Sequence, residues 1–296
     1  YCGRIHRDEQ RWPEMIASYQ KLLTIPDGDL DDKIRADAHY WMGWGCYKQE
    51  EWARAIPHFE AARDLLPQSY REPAGVNIVL AAYSLLDSDK LQDGVAHLLA
   101  DAPHQQLPTR MLIWLGLERF SKGDYEGADR FLGLASTPDD PEQTDTLVWR
   151  HLAKARLESR KFEAASEALA LLLTRKQEDF WKADSYLDQS HALIGLNKWE
   201  EARTAAQEGL DLEPYGTVQA GLYMALADIA THRMDYESAA ANYLKSSKMF
   251  IDDREIKPLG LFRAAEAFEK NGQSEEAAKT RKQLHREFPD WDSVKN

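Results

Sequence analysis

Two cysteines in 296 residues exclude a disulfide-stapled scaffold. Cys2 and Cys46 both fall at helix-packing positions in the register derived below. Two small buried thiols are expected, with a disulfide between neighbouring repeats as the alternative. Long apolar runs are missing as well. The longest, Ile78 to Leu86, is nine residues, whereas a membrane-spanning helix needs about 20, so no membrane insertion is expected. Basic residues are in deficit, 37 Lys and Arg against 50 Asp and Glu, for a formal charge of −13. A nucleic-acid binder carries a basic stripe and a high pI, so the balance argues against nucleic acid and against anionic membrane surfaces. The signatures of common chemistries are absent: no H-E-x-x-H, no paired C-x-x-C, no phosphate-binding G-x-x-x-x-G-K-[ST], no G-x-S-x-G. No catalytic residue, metal or cofactor is expected. No charged segment followed by an apolar one opens the chain, which leaves the compartment, cytoplasm or periplasm, undecided.

What the chain does have is a period. An aromatic recurs at Trp12, Trp52, Tyr125, Phe162, Trp199 and Tyr236, and Leu91 and Ser274 fill the same slot in two weaker copies. The separations are 40, 39, 34, 37, 37, 37 and 38 residues, a spacing typical of helix-pair arrays. Nine residues before each stands a small residue: Gly3, Gly43, Ala82, Gly116, Ala153, Ser190, Ala227 and Ala265. Three residues after it stands Ala55, Gly94, Ala128, Ala165, Ala202, Ala239 or Ala277, with Met15 the exception. Seven after it comes a large residue in six copies, such as Phe59, Leu132 or Tyr243. Two antiparallel helices pack at about 8–10 Å between axes. Small residues at the crossing permit that approach, and the aromatic fills the angle at the start of the second helix. Breakers such as Lys122-Gly123-Asp124 and Asn271-Gly272-Gln273 fall between the helices of a pair, and Pro67, Pro214 and Pro289 fall where second helices stop.

The stretch Met42-Gly43-x2-Cys46…Ala55-x3-Phe59…Pro67, with Leu115-Gly116…Tyr125…Ala128-x3-Leu132, resembles the tetratricopeptide repeat pattern. The resemblance covers nearly the whole chain. It implies an all-α fold, a right-handed superhelical solenoid of antiparallel helix pairs. A Sel1-like or HEAT-like array is the alternative. The expected repeats run over about 1–29, 33–69, 74–106, 109–140, 145–178, 182–215, 219–252 and 257–290. Because Tyr1 falls inside an expected first helix, the native protein is expected to carry more chain ahead of it. The resemblance further implies a concave surface lined by first helices, which in this family commonly holds a peptide or a partner helix.

The outward positions of the first helices follow from the 3.6-residue period. They are Tyr40, Trp44, Tyr47 and Lys48 in the second copy. In the third they are Val76, Val79, Tyr83 and Leu86, and in the fourth Arg110, Ile113, Leu117 and Phe120. Such positions would be polar on an idle surface. An apolar strip there marks an interaction surface, with mutual burial of neighbouring helices as the alternative. In the fifth copy Arg150 and Lys154 occupy these positions, followed by an acidic lining of His191, Asp228, His232, Glu266 and Glu269. The Lys, Asn and Arg of a tetratricopeptide carboxylate clamp are missing at Tyr40, Trp44, Val79 and Tyr83, which disfavours that mode. His191, Asp228, His232 and Glu266 come from three repeats about 10 Å apart, too spread for metal bonds of about 2.0–2.2 Å. The expected function is a scaffold for a protein or peptide partner, not an enzyme, in a larger bacterial-looking protein. The alternative is a peptide- or ligand-sensing regulatory domain attached to an effector.

Overall fold

The computed structural model describes residues 2–26, 29–137, 139–249 and 256–291. Among them lie sixteen α-helices, arranged in two compact units, Tyr1–Arg119 and Phe120–Asn296. The first unit holds α1 (Cys2–Asp8), α2 (Trp12–Leu22), α3 (Asp32–Lys48), α4 (Trp52–Leu65), α5 (Pro67–Ser84), α6 (Ser88–Asp101) and most of α7 (Thr109–Ser121). The second holds α8 (Tyr125–Ala135), α9 (Thr146–Glu158), α10 (Phe162–Leu173), α11 (Asp179–Gly195), α12 (Trp199–Asp211), α13 (Gly216–His232), α14 (Tyr236–Met249), α15 (Ile256–Lys270) and α16 (Ser274–Glu287). Odd-numbered helices are the first members of pairs and even-numbered helices the second. Successive helices pack on one another from α1 to α6 and again from α8 to α16. First helices also touch the next first helix, as in α3 with α5, α9 with α11, and α11 with α13.

One turn joins all eight pairs. The residue two before each second helix has a positive φ: Gln10, Glu50, Leu86, Gly123, Arg160, Asn197, Met234 and Gly272. This is the left-handed residue of a Schellman motif, which satisfies carbonyls that a helix end leaves free. After α3, the Glu51 N–H donates to the Cys46 carbonyl at 2.9 Å and the Glu50 N–H to Tyr47 at 3.1 Å. The same pair of bonds closes α5, where Asp87 donates to Ala82 and Leu86 to Tyr83. The left-handed region costs a residue with a side chain about 1–2 kcal/mol, yet glycine fills it in only two of the eight turns. The turn geometry is set by helices that must cross closely on either side.

That crossing is where the small residues act. Gly3, Gly43, Ala82, Gly116, Ala153, Ser190, Ala227 and Ala265 are all buried. A methyl group at Gly43 would stand 2.9 Å from the Phe59 ring and 3.2 Å from the Ala55 carbonyl oxygen, so α3 and α4 meet there backbone to ring. Phe59 itself is fully buried, which contributes about 1.5–3 kcal/mol. In the second unit Tyr243 plays the same part, packed on Ala227, Ala239, Ala240, Ala264 and Ala267.

The third copy corrects the sequence register. Its second helix begins at Ser88, not three residues later at Leu91, because the left-handed turn residue is Leu86. With Ser88 in the slot the separations become 40, 36, 37, 37, 37, 37 and 38 residues. Leu91 is instead a core residue of α6 with no exposed surface. Pro67, expected to end a helix, opens α5 at its first position, where its missing N–H costs nothing. Both cysteines are free. Cys46 is buried as expected, whereas Cys2 is exposed at the start of α1.

Candidate functional site

In the first unit, α3, α5 and α7 each present aromatic or aliphatic side chains in the outward register. Trp44 and Tyr47 are partly exposed and stack with ring centroids 5.9 Å apart, and the Lys48 ammonium lies 4.9 Å over the Trp44 ring. Tyr83 is partly exposed and meets the edge of Trp114 on α7 at 5.8 Å. Ile113 and Leu117 are partly exposed, and Arg110 is exposed at the start of α7. Val79 differs. It is 1% exposed and faces Gly94 across the α5–α6 seam, so it has no surface to offer a ligand. The three-residue register shift explains this: Leu80, partly exposed, takes the outward place next to Tyr83. Leu86, counted with the helix face, is the turn residue itself and is 64% exposed.

Tyr40 also points outward from α3, but it is occupied. Its ring lies 4.7 Å from Tyr70 on α5, and the Asn77 side-chain amide donates to its hydroxyl at 3.1 Å. The Tyr70 hydroxyl in turn donates to Asp37 at 2.6 Å. Burial raises the Tyr70 pKa, and so does that bond. These contacts tie α3 to α5, the step from one first helix to the next.

The second unit repeats the step with charges. The Arg150 guanidinium on α9 lies 4.5 Å over the Trp181 ring and donates to Gln177. The Lys154 ammonium sits 3.2 Å from Asp184 and 2.9 Å from Asp188, both on α11. Burial pushes the Asp188 carboxyl up to about 6 against the pull of Lys154. Burial alone would lower the Lys154 pKa, but the two carboxylates outweigh it and hold the ammonium above its ordinary value. Phe120 packs edge-on against Tyr125 and His151. Further along, Asp228 accepts from the Tyr243 hydroxyl at 2.5 Å and from Arg263 at 2.7 Å. Burial, with the nearby Asp228 charge, pushes Tyr243 up to about 12. Asp228, Tyr243 and Arg263, with Tyr236 and Lys270, border a recess of about 260 Å³. His191 keeps accessible surface but stands in a crowded place, where desolvation lowers its pKa and Asp228 opposes the change. His232 is not beside it: its ring stacks on Trp199 at 3.8 Å. The acidic lining is therefore broken up. Asp228 serves Tyr243 and Arg263, and Glu269 pairs with Arg281 at 2.6 Å.

Sequence reading missed Tyr70, Asn77, Trp114, Trp181, Asp184 and Asp188. All lie on first helices, and each meets an outward residue of the preceding first helix. An offset between neighbouring repeats was the available signal. Reading also missed a cleft of about 810 Å³ between α12, α13 and α14, floored by Tyr223 and Leu226 and walled by Arg203, Gln207, Arg233 and Lys245.

Helix pairs joined by left-handed turns, with small residues at each crossing and first helices stepping side by side, define a helical-repeat protein. Three segments match tetratricopeptide repeat models, residues 2–33, 36–69 and 260–290. These segments carry tetratricopeptide repeats, and the helix pairs between them follow the same helical-repeat architecture. No curated protein matches it in sequence. Among solved structures it is similar to the quorum sensor NprR from B. thuringiensis in its apo form, at 17% identity over 95% of this chain and 84% of that one, with a TM-score of 0.44. It is similar to a tetratricopeptide repeat protein from Parabacteroides merdae at 16% identity, over 87% and 94% of the two chains, with a TM-score of 0.38. The pilF protein of Pseudomonas aeruginosa follows at 17% identity, 77% and 97% coverage and a TM-score of 0.39. Among the described residues no helix is long and apolar enough to cross a membrane.

Proposed function

We propose that the chain binds a protein partner through a peptide or helix laid along the first helices of the Tyr1–Arg119 unit. Trp44, Tyr47, Leu80, Tyr83, Ile113 and Leu117 act as the apolar anchors, and Arg110 and Lys48 as polar margins. The observation that carries this reading is partial exposure of a registered set of apolar side chains. Each lies on α3, α5 or α7 and keeps surface in water that its own helix pair does not cover. Large aromatic groups in that state are the residues that dominate binding energy at protein interfaces. Tyr40, although in register, acts mainly as a brace between α3 and α5. Phe120, Arg150 and Lys154 belong to the Phe120–Asn296 unit and hold outward positions of its own. Arg150 and Lys154 are held by α11, so a partner meets them as preformed ion-pair and stacking features and not as free charges.

The test is cross-linking mass spectrometry on the native complex, followed by affinity measurement with the partner so identified. Cross-links from first-helix positions within 40–117 support the reading, and cross-links on second helices redirect it. Trp44→Ala and Tyr83→Ala each weaken binding by about tenfold or more, as expected for central aromatic anchors. Unchanged affinity in both variants overturns the proposal.

A further inference from the structure

Outside this surface, two histidines meet within the second helix pair. His39 on α3 and His58 on α4 face one another across the helix pair, with their Nδ1 atoms 3.1 Å apart and ring centroids at 5.4 Å. Both rings are partly buried. Two imidazolium rings at that distance repel, so one proton at most is held between the nitrogens. Burial lowers the pKa of each ring. Arg35 lowers that of His39 further, and His39 and Arg54 lower that of His58. At 3.1 Å one ring's Nδ1–H donates to the other's Nδ1, and a metal ion takes that proton's place once both rings are protonated on Nε2.

A metal ion bound by imidazole at about 2.0–2.1 Å from each nitrogen sees a 3.1 Å gap as an angle of about 98°. That is close to the cis angle of a square-planar or octahedral ion, whereas a tetrahedral ion asks for a gap of about 3.4 Å. Each ring must turn about 40° off the nitrogen–nitrogen line to aim at such an ion, a change within reach of partly exposed side chains. The nearby cations are already engaged: Arg35 donates to the Ile25 and Pro26 carbonyls, and Arg54 pairs with Glu51. Among the described residues no group of three His, Cys, Asp or Glu could hold one ion. The site is accordingly two-toothed, with solvent completing the shell and exchange expected to be easy.

We propose that His39 and His58 form a bidentate site for a divalent transition metal ion that prefers cis nitrogen ligands, copper(II) before nickel(II), clipping α3 to α4 in the second repeat. Copper(II) heads the usual affinity order for nitrogen ligands, and an ion that binds only the folded pair stabilises it.

The experiment titrates the full chain with copper(II) alone at neutral pH, following it by calorimetry and by electron paramagnetic resonance. The expected result is one micromolar equivalent whose spectrum shows two imidazole nitrogens, together with a rise in the unfolding midpoint. His39→Asn or His58→Asn weakens this step at least tenfold, and His104→Asn, a change at an exposed histidine, leaves it unchanged. The nitrogen count is read on the unaltered chain, so it stands even where a variant misfolds. A single coordinating imidazole, or equal binding by the unaltered chain and the two variants, overturns the proposal.

Discussion

If the small residues exist to let helices cross, then the same substitution at two glycines should have opposite signs. Gly43→Ala and Gly94→Ala both place a better helix former inside a helix, worth about 1 kcal/mol at each site. At Gly94 the new methyl meets Ile78 and Val79 at 3.4 Å, an ordinary contact, so the gain survives and the variant is more stable by about 1 kcal/mol. At Gly43 the methyl lies 2.9 Å from the Phe59 ring and 3.2 Å from a backbone oxygen. The ring is fully buried and cannot swing away. Overpacking of this kind costs about 1–3 kcal/mol, so the net change is a loss of about 1 kcal/mol. The two variants then differ by about 2 kcal/mol. Both sites lie in the Tyr1–Arg119 unit, so a single urea transition reads both. A slope of about 1–3 kcal/mol per molar urea puts their midpoints roughly 1 M apart. Pairing Gly43→Ala with Phe59→Leu should recover part of the loss, because the obstructing ring is removed. Should Gly43→Ala prove as stable as Gly94→Ala, the crossing is looser than described and the account of the repeat pattern fails.

Three further outcomes follow from single residues. Leu86 adopts the left-handed turn conformation with its side chain 64% exposed, so Leu86→Gly relieves strain without losing packing and raises stability by about 1 kcal/mol; a lower urea midpoint contradicts this. Asp188 has a folded pKa of about 6 against an ordinary 3.8. A raised pKa gives stability below about pH 4 that is lost as pH rises through 6, at most about 3 kcal/mol. The unaltered chain therefore loses stability relative to Asp188→Asn between pH 4 and 6, and parallel pH profiles for the two refute the assignment. Tyr243→Phe removes the hydroxyl that Asp228 accepts at 2.5 Å and lowers stability by about 1.5–3 kcal/mol, as for a bond to a charged group; a change below about 0.5 kcal/mol would place that bond in water.

The pairing of helices was legible because close crossing is a local demand. It requires a small residue at one offset and a large one at another, and Gly43 with Phe59 or Ala227 with Tyr243 meet it within one repeat. The third copy misled for a related reason. Ser88 is a weak marker, and the slot three residues on, one helical turn away, also found small residues at Ala82 and Gly94. Chain periodicity cannot separate two positions on the same helical face. The backbone does, since the left-handed residue is Leu86.

Sequence by itself determined the helix pairs and their number and, outside the third copy, their crossing residues and the outward register that makes Trp44 and Leu117 candidates. Only tertiary structure decided which outward residues remain available. Tyr40 is taken by Tyr70 and Asn77, Lys154 by Asp184 and Asp188, and Asp228 by Tyr243 and Arg263. It also decided that His39 and His58 meet. An offset within one helix is set by 3.6 residues per turn and can be counted along the chain. A contact between helices depends on their rise, rotation and distance, and these are fixed only when the whole face is packed.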